Sequence, residues 1–225
     1  MMLLAIVVLT GCMYPDDLKA ENNIPAQDQI ESVQRAIEQF QQDTGVLPIK
    51  NSDVDTDLYI KYKIDFEQLV PKYLSYIPAN AYEKGGLFQF VIWDAETNPT
   101  VKLIDLRTPD KIRDVKARMM LKEYPPYGEE VATGVYTIDY KSLGYENPLV
   151  VESPFTTNQL PLVVTPKGEV YVDYTADIQQ LFMTFKDVEK GEDLRNQLAQ
   201  NYPVLPAYSL AYTIDENDTI IFSTK

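Results

Sequence analysis

The chain has no histidine, one cysteine and one tryptophan in 225 residues. The absence of histidine excludes Ser-His-Asp and Cys-His catalysis, histidine-ligated zinc and histidine-based pH switching. A single cysteine excludes any intrachain disulfide, so packing alone must stabilise the fold. No glycine-rich phosphate loop follows an apolar run. Basic residues are scarce: 20 Lys and Arg face 34 Asp and Glu, for a formal charge of −14. Nucleic acid needs a basic stripe, and none is present. Adsorption of the folded body onto an anionic leaflet is opposed for the same reason. The chemistry left over is that of carboxylates.

What is there begins with the one cysteine. Cys12 closes the run Met1-Met-Leu-Leu-Ala-Ile-Val-Val-Leu-Thr-Gly11-Cys12, which looks like a bacterial lipoprotein signal ending in a lipobox. Its apolar stretch is too short to span a bilayer and long enough for a secretory signal core. The departure is at the start, where no Lys or Arg precedes the apolar run. In the resembling class the thiol receives a diacylglyceryl group and cleavage makes Cys12 the new N-terminus. The other reading, a buried segment with Cys12 as a small core residue, is opposed by the polar Tyr14-Pro15-Asp16-Asp17 that follows. The expectation is a signal peptide over 1–11, lipidation at Cys12, and attachment to the extracytoplasmic face of the cell membrane.

Removal of residues 1–11 leaves 214, enough for one large domain or two small ones. Apolar content of 45% marks a globular body. Tyrosine dominates the aromatics with 16 residues. Two readings stand: rings inward along strands with hydroxyls at the rim, or a tyrosine-rich binding face.

Residues 12–27, rich in Pro, Asp and Asn, read as a lipidated tether. Ile30, Val33, Ile37 and Phe40 then fall on one helical face, with Asp28 as N-cap, Gly45 at the end and Pro48 beyond. The runs Leu87–Trp93 and Pro99–Leu106, split by a polar turn, predict a hairpin. A second helix is predicted over Lys111–Lys122, with Thr108 as cap, Pro109 in its first turn, and Ile112, Val115, Met119 and Leu121 as its apolar stripe.

The chain then starts again. Tyr62-Lys-Ile-Asp65-Phe66 returns as Tyr136-Thr-Ile-Asp139-Tyr140, 74 residues on. Each copy is followed by a Leu, a Pro, an apolar run and a strand ending in Asp, at Asp105 and Asp173. A truncated third echo is a helix near Glu192–Gln200 followed by Tyr212-Thr-Ile-Asp215. A unit this long points to duplicated small domains rather than a solenoid. The expected fold is therefore α+β. It has two related units, 28–108 and 109–225, each an amphipathic helix packed on a small antiparallel sheet, the second ending in a further helix and hairpin.

Two acidic clusters invite a metal. Asp53-x-Asp55-x-Asp57 resembles the opening of a calcium loop, but Leu58 stands where the turning Gly belongs and Ile64 where the bidentate Glu belongs. Asp215-Glu-Asn-Asp218 reads as a hairpin turn. No metal, cofactor or catalytic residue is assigned.

Two family resemblances follow from quoted strings. Leu9-Thr-Gly-Cys-Met-Tyr-Pro15, Glu96-Thr-Asn-Pro-Thr-Val-Lys-Leu-Ile-Asp-Leu-Arg107 and Gly168-Glu-Val-Tyr-Val-Asp-Tyr174 resemble an uncharacterised extracytoplasmic membrane lipoprotein family of bacillus-type Gram-positive bacteria. That resemblance implies membrane anchoring and no particular activity. Over 28–92, Gly45-Val-Leu-Pro48, Leu69-Val-Pro-Lys-Tyr-Leu-Ser-Tyr-Ile-Pro78 and Gly85-Gly-Leu-Phe-Gln-Phe90 are similar to the soluble head of type II secretion pseudopilins. It implies shared architecture rather than pilus assembly, because a lipobox replaces the long apolar helix of pilins. The functional expectation is a non-catalytic, lipid-anchored binding or scaffold module that contacts envelope proteins and no nucleic acid. A carboxylate-dependent hydrolase of cell-wall glycan or peptide is the alternative, and a small-ligand lipoprotein feeding a transporter is a third.

Overall fold

Helix α1 (Gln27–Thr44) buries Ile30, Val33, Ala36, Ile37 and Phe40, the stripe its spacing predicts. This is seen in a computed structural model of the chain, which describes residues 24–25, 27–186 and 188–223. The expected signal peptide, Cys12 and most of the expected tether lie outside the described residues. Asp28 sits within the first turn of α1, where its charge faces the positive end of the helix dipole. Gly45 ends the helix at φ 76°, a left-handed conformation that glycine adopts at little cost.

The chain next forms two short helices, α2 (Leu58–Lys61) and α3 (Phe66–Leu69). It continues into the predicted hairpin, β1 (Phe88–Trp93) and β2 (Thr100–Asp105). Outside β1 the sheet continues through single bridges, Lys63 to Val91 and Ile49 to Ile64, both antiparallel. The order across the first unit is thus 49, 64, β1, β2. Helix α1 lies against β2, fixed by Gln34, which accepts from the Val101 N–H at 2.7 Å and donates to Pro99 O at 3.0 Å.

The second unit repeats this order. It comprises α4 (Arg107–Met119), β3 (Tyr127–Ala132), β4 (Val135–Ile138), β5 (Val150–Glu152), β6 (Gln159–Val164) and β7 (Val170–Val172). The order β3, β4, β6, β7 matches the first unit, β5 is an addition on β6, and α4 lies against β7. The correspondence reaches single hydrogen bonds. The Asp65 N–H donates to Pro48 O at 2.8 Å, and the Asp139 N–H to Pro126 O at 2.8 Å. Asp65 then accepts from Glu67 N and Asp139 from Ser142 N, each turning the chain so that Leu69 or Leu143 is buried. All named strand pairs are antiparallel, so the α+β architecture of two related units is the fold.

Two details of the second helix differ from the expectation. It begins at Arg107 rather than Lys111, because Asp105 at the end of β2 accepts from the Arg107 N–H at 2.9 Å and caps it. Thr108 therefore lies buried inside the first turn. The helix also stops at Met119, which leaves Leu121 outside the stripe and exposed. Asp173 repeats the Asp105 device, accepting from Thr175 N to open α5 (Thr175–Leu181), and Asp193 does so for α6 (Arg195–Asn201). The third echo is α6 followed by the hairpin β8 (Tyr212–Ile214) and β9 (Ile220–Phe222), with Asp215 in its turn.

Residues 203–209 join the units. Pro203 O accepts from Leu103 N at 2.9 Å, and Leu205 N donates back to Leu103 O at 2.8 Å. Further along, Tyr208 O accepts from Val172 N at 2.8 Å. The segment thus runs parallel to β2 and β7 in turn. Tyr59, Val91, Ile104, Ala199, Leu205 and Ala207 form a small core at this seam, between one large core under each helix. Arg195 closes it: its guanidinium lies 4.7 Å from the Tyr59 ring centre and donates to Ser209 O at 2.8 Å.

Candidate interaction surface

The carboxylates singled out by sequence do not converge. Asp53 and Asp55 lie in an exposed loop, and Asp57 caps α2 by accepting from Tyr59 N at 2.9 Å. Among the described residues no three His, Cys, Asp or Glu side chains are grouped to hold a metal ion. At one small cleft Asp105 and Glu152 come near each other, but Arg107 bonds to Asp105 at 2.5 Å and reaches Glu152 at 3.9 Å. Arg107 thus pairs with both carboxylates of this cleft. Asp177, which sequence did not single out, is fully buried. It accepts from Ser153 Oγ at 2.5 Å, Thr156 Oγ1 at 2.5 Å and Asn158 Nδ2 at 2.9 Å, stapling the 153–158 loop to α5.

Two larger grooves remain. One, of about 410 Å³, lies between α1, β2 and α6 and contains Lys102. Burial pulls the Lys102 ammonium down to about 8. That cation is already engaged, donating to Tyr202 O at 2.8 Å and Gln200 O at 3.5 Å, and so ties the end of α6 to β2.

The other groove, of about 390 Å³, lies at the C-terminal end of α4. One wall is the chain from Met119 to Tyr127. After Met119 it makes one further turn, with Lys122 N donating to Met119 O at 3.0 Å, and then enters Pro125-Pro126. Prolines lack the N–H that would continue a helix, so the backbone leaves extended into β3. The facing wall is the turn between β6 and β7, where Gly168 at φ 75° allows its N–H to reach Thr165 O. Tyr127 Oη donates to Pro166 O at 3.2 Å, and Lys116 pairs with Glu169 at 2.8 Å, so the walls are tied at two points. Met119, Met120, Pro125, Pro126 and Pro166 give the groove an apolar lining.

Its rim carries three exposed large apolar side chains within five residues. Met120 is 85% exposed, Leu121 84% and Tyr124 76%. Lys122 stands on one wall and Lys167 on the other, and neither side chain makes a hydrogen bond or ion pair within the described residues. Neighbouring β3 is exposed and irregular, with register shifts around Glu130. Bulges and charges of this kind discourage strand addition at an edge. Sequence reading missed the groove because its walls are about 40 residues apart along the chain. The cue available was the exposed Met120-Leu121 pair followed by two prolines.

Residues 26–105 match the family model of the YphF family N-terminal domain. The match runs from the residue before α1 to the last residue of β2, which is the first unit. No curated protein and no solved structure matches the chain. The groove falls wholly outside the matched stretch. Among the described residues no helix is long and apolar enough to cross a membrane.

Proposed function

We propose that this chain is a non-catalytic, lipid-anchored binding module on the extracytoplasmic face of the cell membrane, held by the lipid on Cys12 and engaging an envelope protein through the groove at the end of α4. The observation that carries the binding reading is the exposed trio Met120, Leu121 and Tyr124, clustered beside an apolar groove, whereas other strongly exposed apolar side chains such as Val54, Tyr82 and Met183 are scattered. Clustered large apolar groups beside a groove, rimmed by charge, mark interaction sites rather than scattered surface apolars. Methionine suits such a site because its flexible thioether adapts to a partner's shape. The lipoprotein reading rests on the Thr10-Gly11-Cys12 signal. One acyl chain holds a protein marginally and two hold it stably, so the diacyl group suffices as anchor even for an acidic body.

The two halves of the reading are separable by experiment. Cys12→Ala is expected to leave an uncleaved, unlipidated precursor, visible as a mass difference and as loss of label from a fatty-acid analogue. A Cys12→Ala chain processed and anchored like its parent would contradict the lipoprotein assignment. A photo-crosslinker at Leu121 is expected to yield a discrete adduct in intact membranes that Met120→Asp removes; adducts unaffected by that change would contradict the groove.

A further inference from the structure

We infer that the groove at the end of α4 takes a polypeptide segment with an apolar anchor flanked by acidic residues, rather than a bilayer surface. This rests on the proposal that the groove is the binding site, and specifies what enters it. Shape is the first argument. The walls Met119–Tyr127 and Pro166–Glu169 flank an open groove of about 390 Å³, within the ~300–1,000 Å³ of pockets that hold ligands. A flat bilayer can touch the tips of Leu121 and Tyr124 but cannot fill the space between two walls. A side chain projecting from a peptide can.

Charge is the second argument. The chain carries −14 overall, so an anionic leaflet repels the body as a whole. The side chains of Lys122 and Lys167, one on each wall, are free of internal partners and outnumber Glu123, the one lining carboxylate left unpaired, whereas Lys116 is engaged with Glu169. Two uncommitted ammonium groups facing across an apolar slot complement an apolar residue with a carboxylate on either side. The mode is insertion between loops and not strand addition, since β3 is bulged and carries Glu129 and Glu130.

The test uses the full chain in phosphatidylcholine nanodiscs, panned against a random dodecapeptide library. The selected peptides should be enriched in Asp or Glu around a central apolar residue. Their affinity should fall about tenfold in the double variant Lys122→Glu, Lys167→Glu, as expected for reversing two exposed charge pairs. Binding should be lost in Met120→Asp, while phosphatidylglycerol vesicles should fail to compete. Peptides without acidic enrichment that still need Met120 would sink the acidic partner and leave the groove standing. Peptides indifferent to Met120, or none selected, would sink the groove as well. Competition by vesicles that depends on Met120 would show a membrane-contacting surface and overturn this inference.

Discussion

The two units share strand order, helix placement and even the Asp-to-Pro hydrogen bond, yet they differ where the first helix of each meets its first strand. In the first unit Gly45-Val46-Leu47 makes the connection, and Leu47 turns inward onto the core under α1. In the second the corresponding connection is Met120–Pro125, twice as long, and its Met120, Leu121 and Tyr124 point to solvent. The reverse holds one connection later. The first unit places an acidic loop and α2 between its first two strand segments, and α2 delivers Tyr59 to the seam. The second unit makes the same connection with Thr133-Gly134 alone. One scaffold has thus given its insertion to assembly in the first unit and to a groove in the second. Loops on a rigid frame are where function is added with least cost to packing.

The largest effect should come from the C-terminal region, which fills the second core and supplies the segment joining the units. Tyr212 is fully buried in the second core, and its hydroxyl accepts from Tyr174 N at 2.7 Å. Tyr212→Ala should cost about 3–5 kcal/mol, as for other large aromatics removed from cores. Val204, from the same C-terminal region, is buried in the first core. Denaturant should therefore unfold both units in one transition in the parent. Deletion from Pro203 onward should lower the midpoints of both; two separate transitions in the parent would break the picture of a shared seam.

Asp177 sharpens the comparison from the second unit's side. Asp177→Ala strips three donors of a charged acceptor and should cost about 3 kcal/mol, read by thermal unfolding. The predicted loss is confined to the 153–158 loop and the core beside it, so hydrogen exchange in α1 should change only through global stability.

Lys102 gives a pH-dependent contrast in the first unit. Its folded pKa is lowered to about 8, whereas the unfolded side chain titrates near 10.4. Between those values the unfolded state holds more protons, so this group's contribution to stability rises with pH. Below pH 8 the buried charge imposes its full penalty, of order 3 kcal/mol. Burial raises Tyr59, Tyr140 and Tyr174 in the opposite sense, so their contributions fall above pH 10. Subtracting the profile of Lys102→Met isolates the lysine: the parent should gain on the variant from pH 8 to 10. A flat difference would contradict a desolvated Lys102.

The smallest effects belong to the acidic loop. Asp53→Asn and Asp55→Asn should each shift stability by less than about 0.5 kcal/mol, as exposed substitutions do. Neither calcium nor chelator should move the melting temperature, because a ligand bound only to the native state would raise it. A rise of several degrees with calcium would restore the metal reading of Asp53, Asp55 and Asp57.

Legibility followed the range of the interactions. The stripe of α1 and the β1–β2 hairpin are patterns within short windows, the 74-residue echo is such a window repeated, and the fold carries each of them. The start of α4 was misplaced because Asp105, a strand residue in the sequence pattern, also serves as the cap. Strand β5 is three residues long, too short to show a period, although it pairs with the adjacent β6, and the 203–209 seam depends on pairings between distant segments that no local periodicity encodes. The groove was hidden for the same reason, and Asp177 because a buried carboxylate is distinguished only by the three donors folded around it.

The most direct test exchanges the connection that separates the two units. Replacing Met120–Pro125 with Gly-Val-Leu, the first unit's connection, should keep a single cooperative unfolding transition and abolish binding of the selected peptides. Retained peptide affinity in that folded exchange variant would contradict the claim that the second unit's loop is the binding surface.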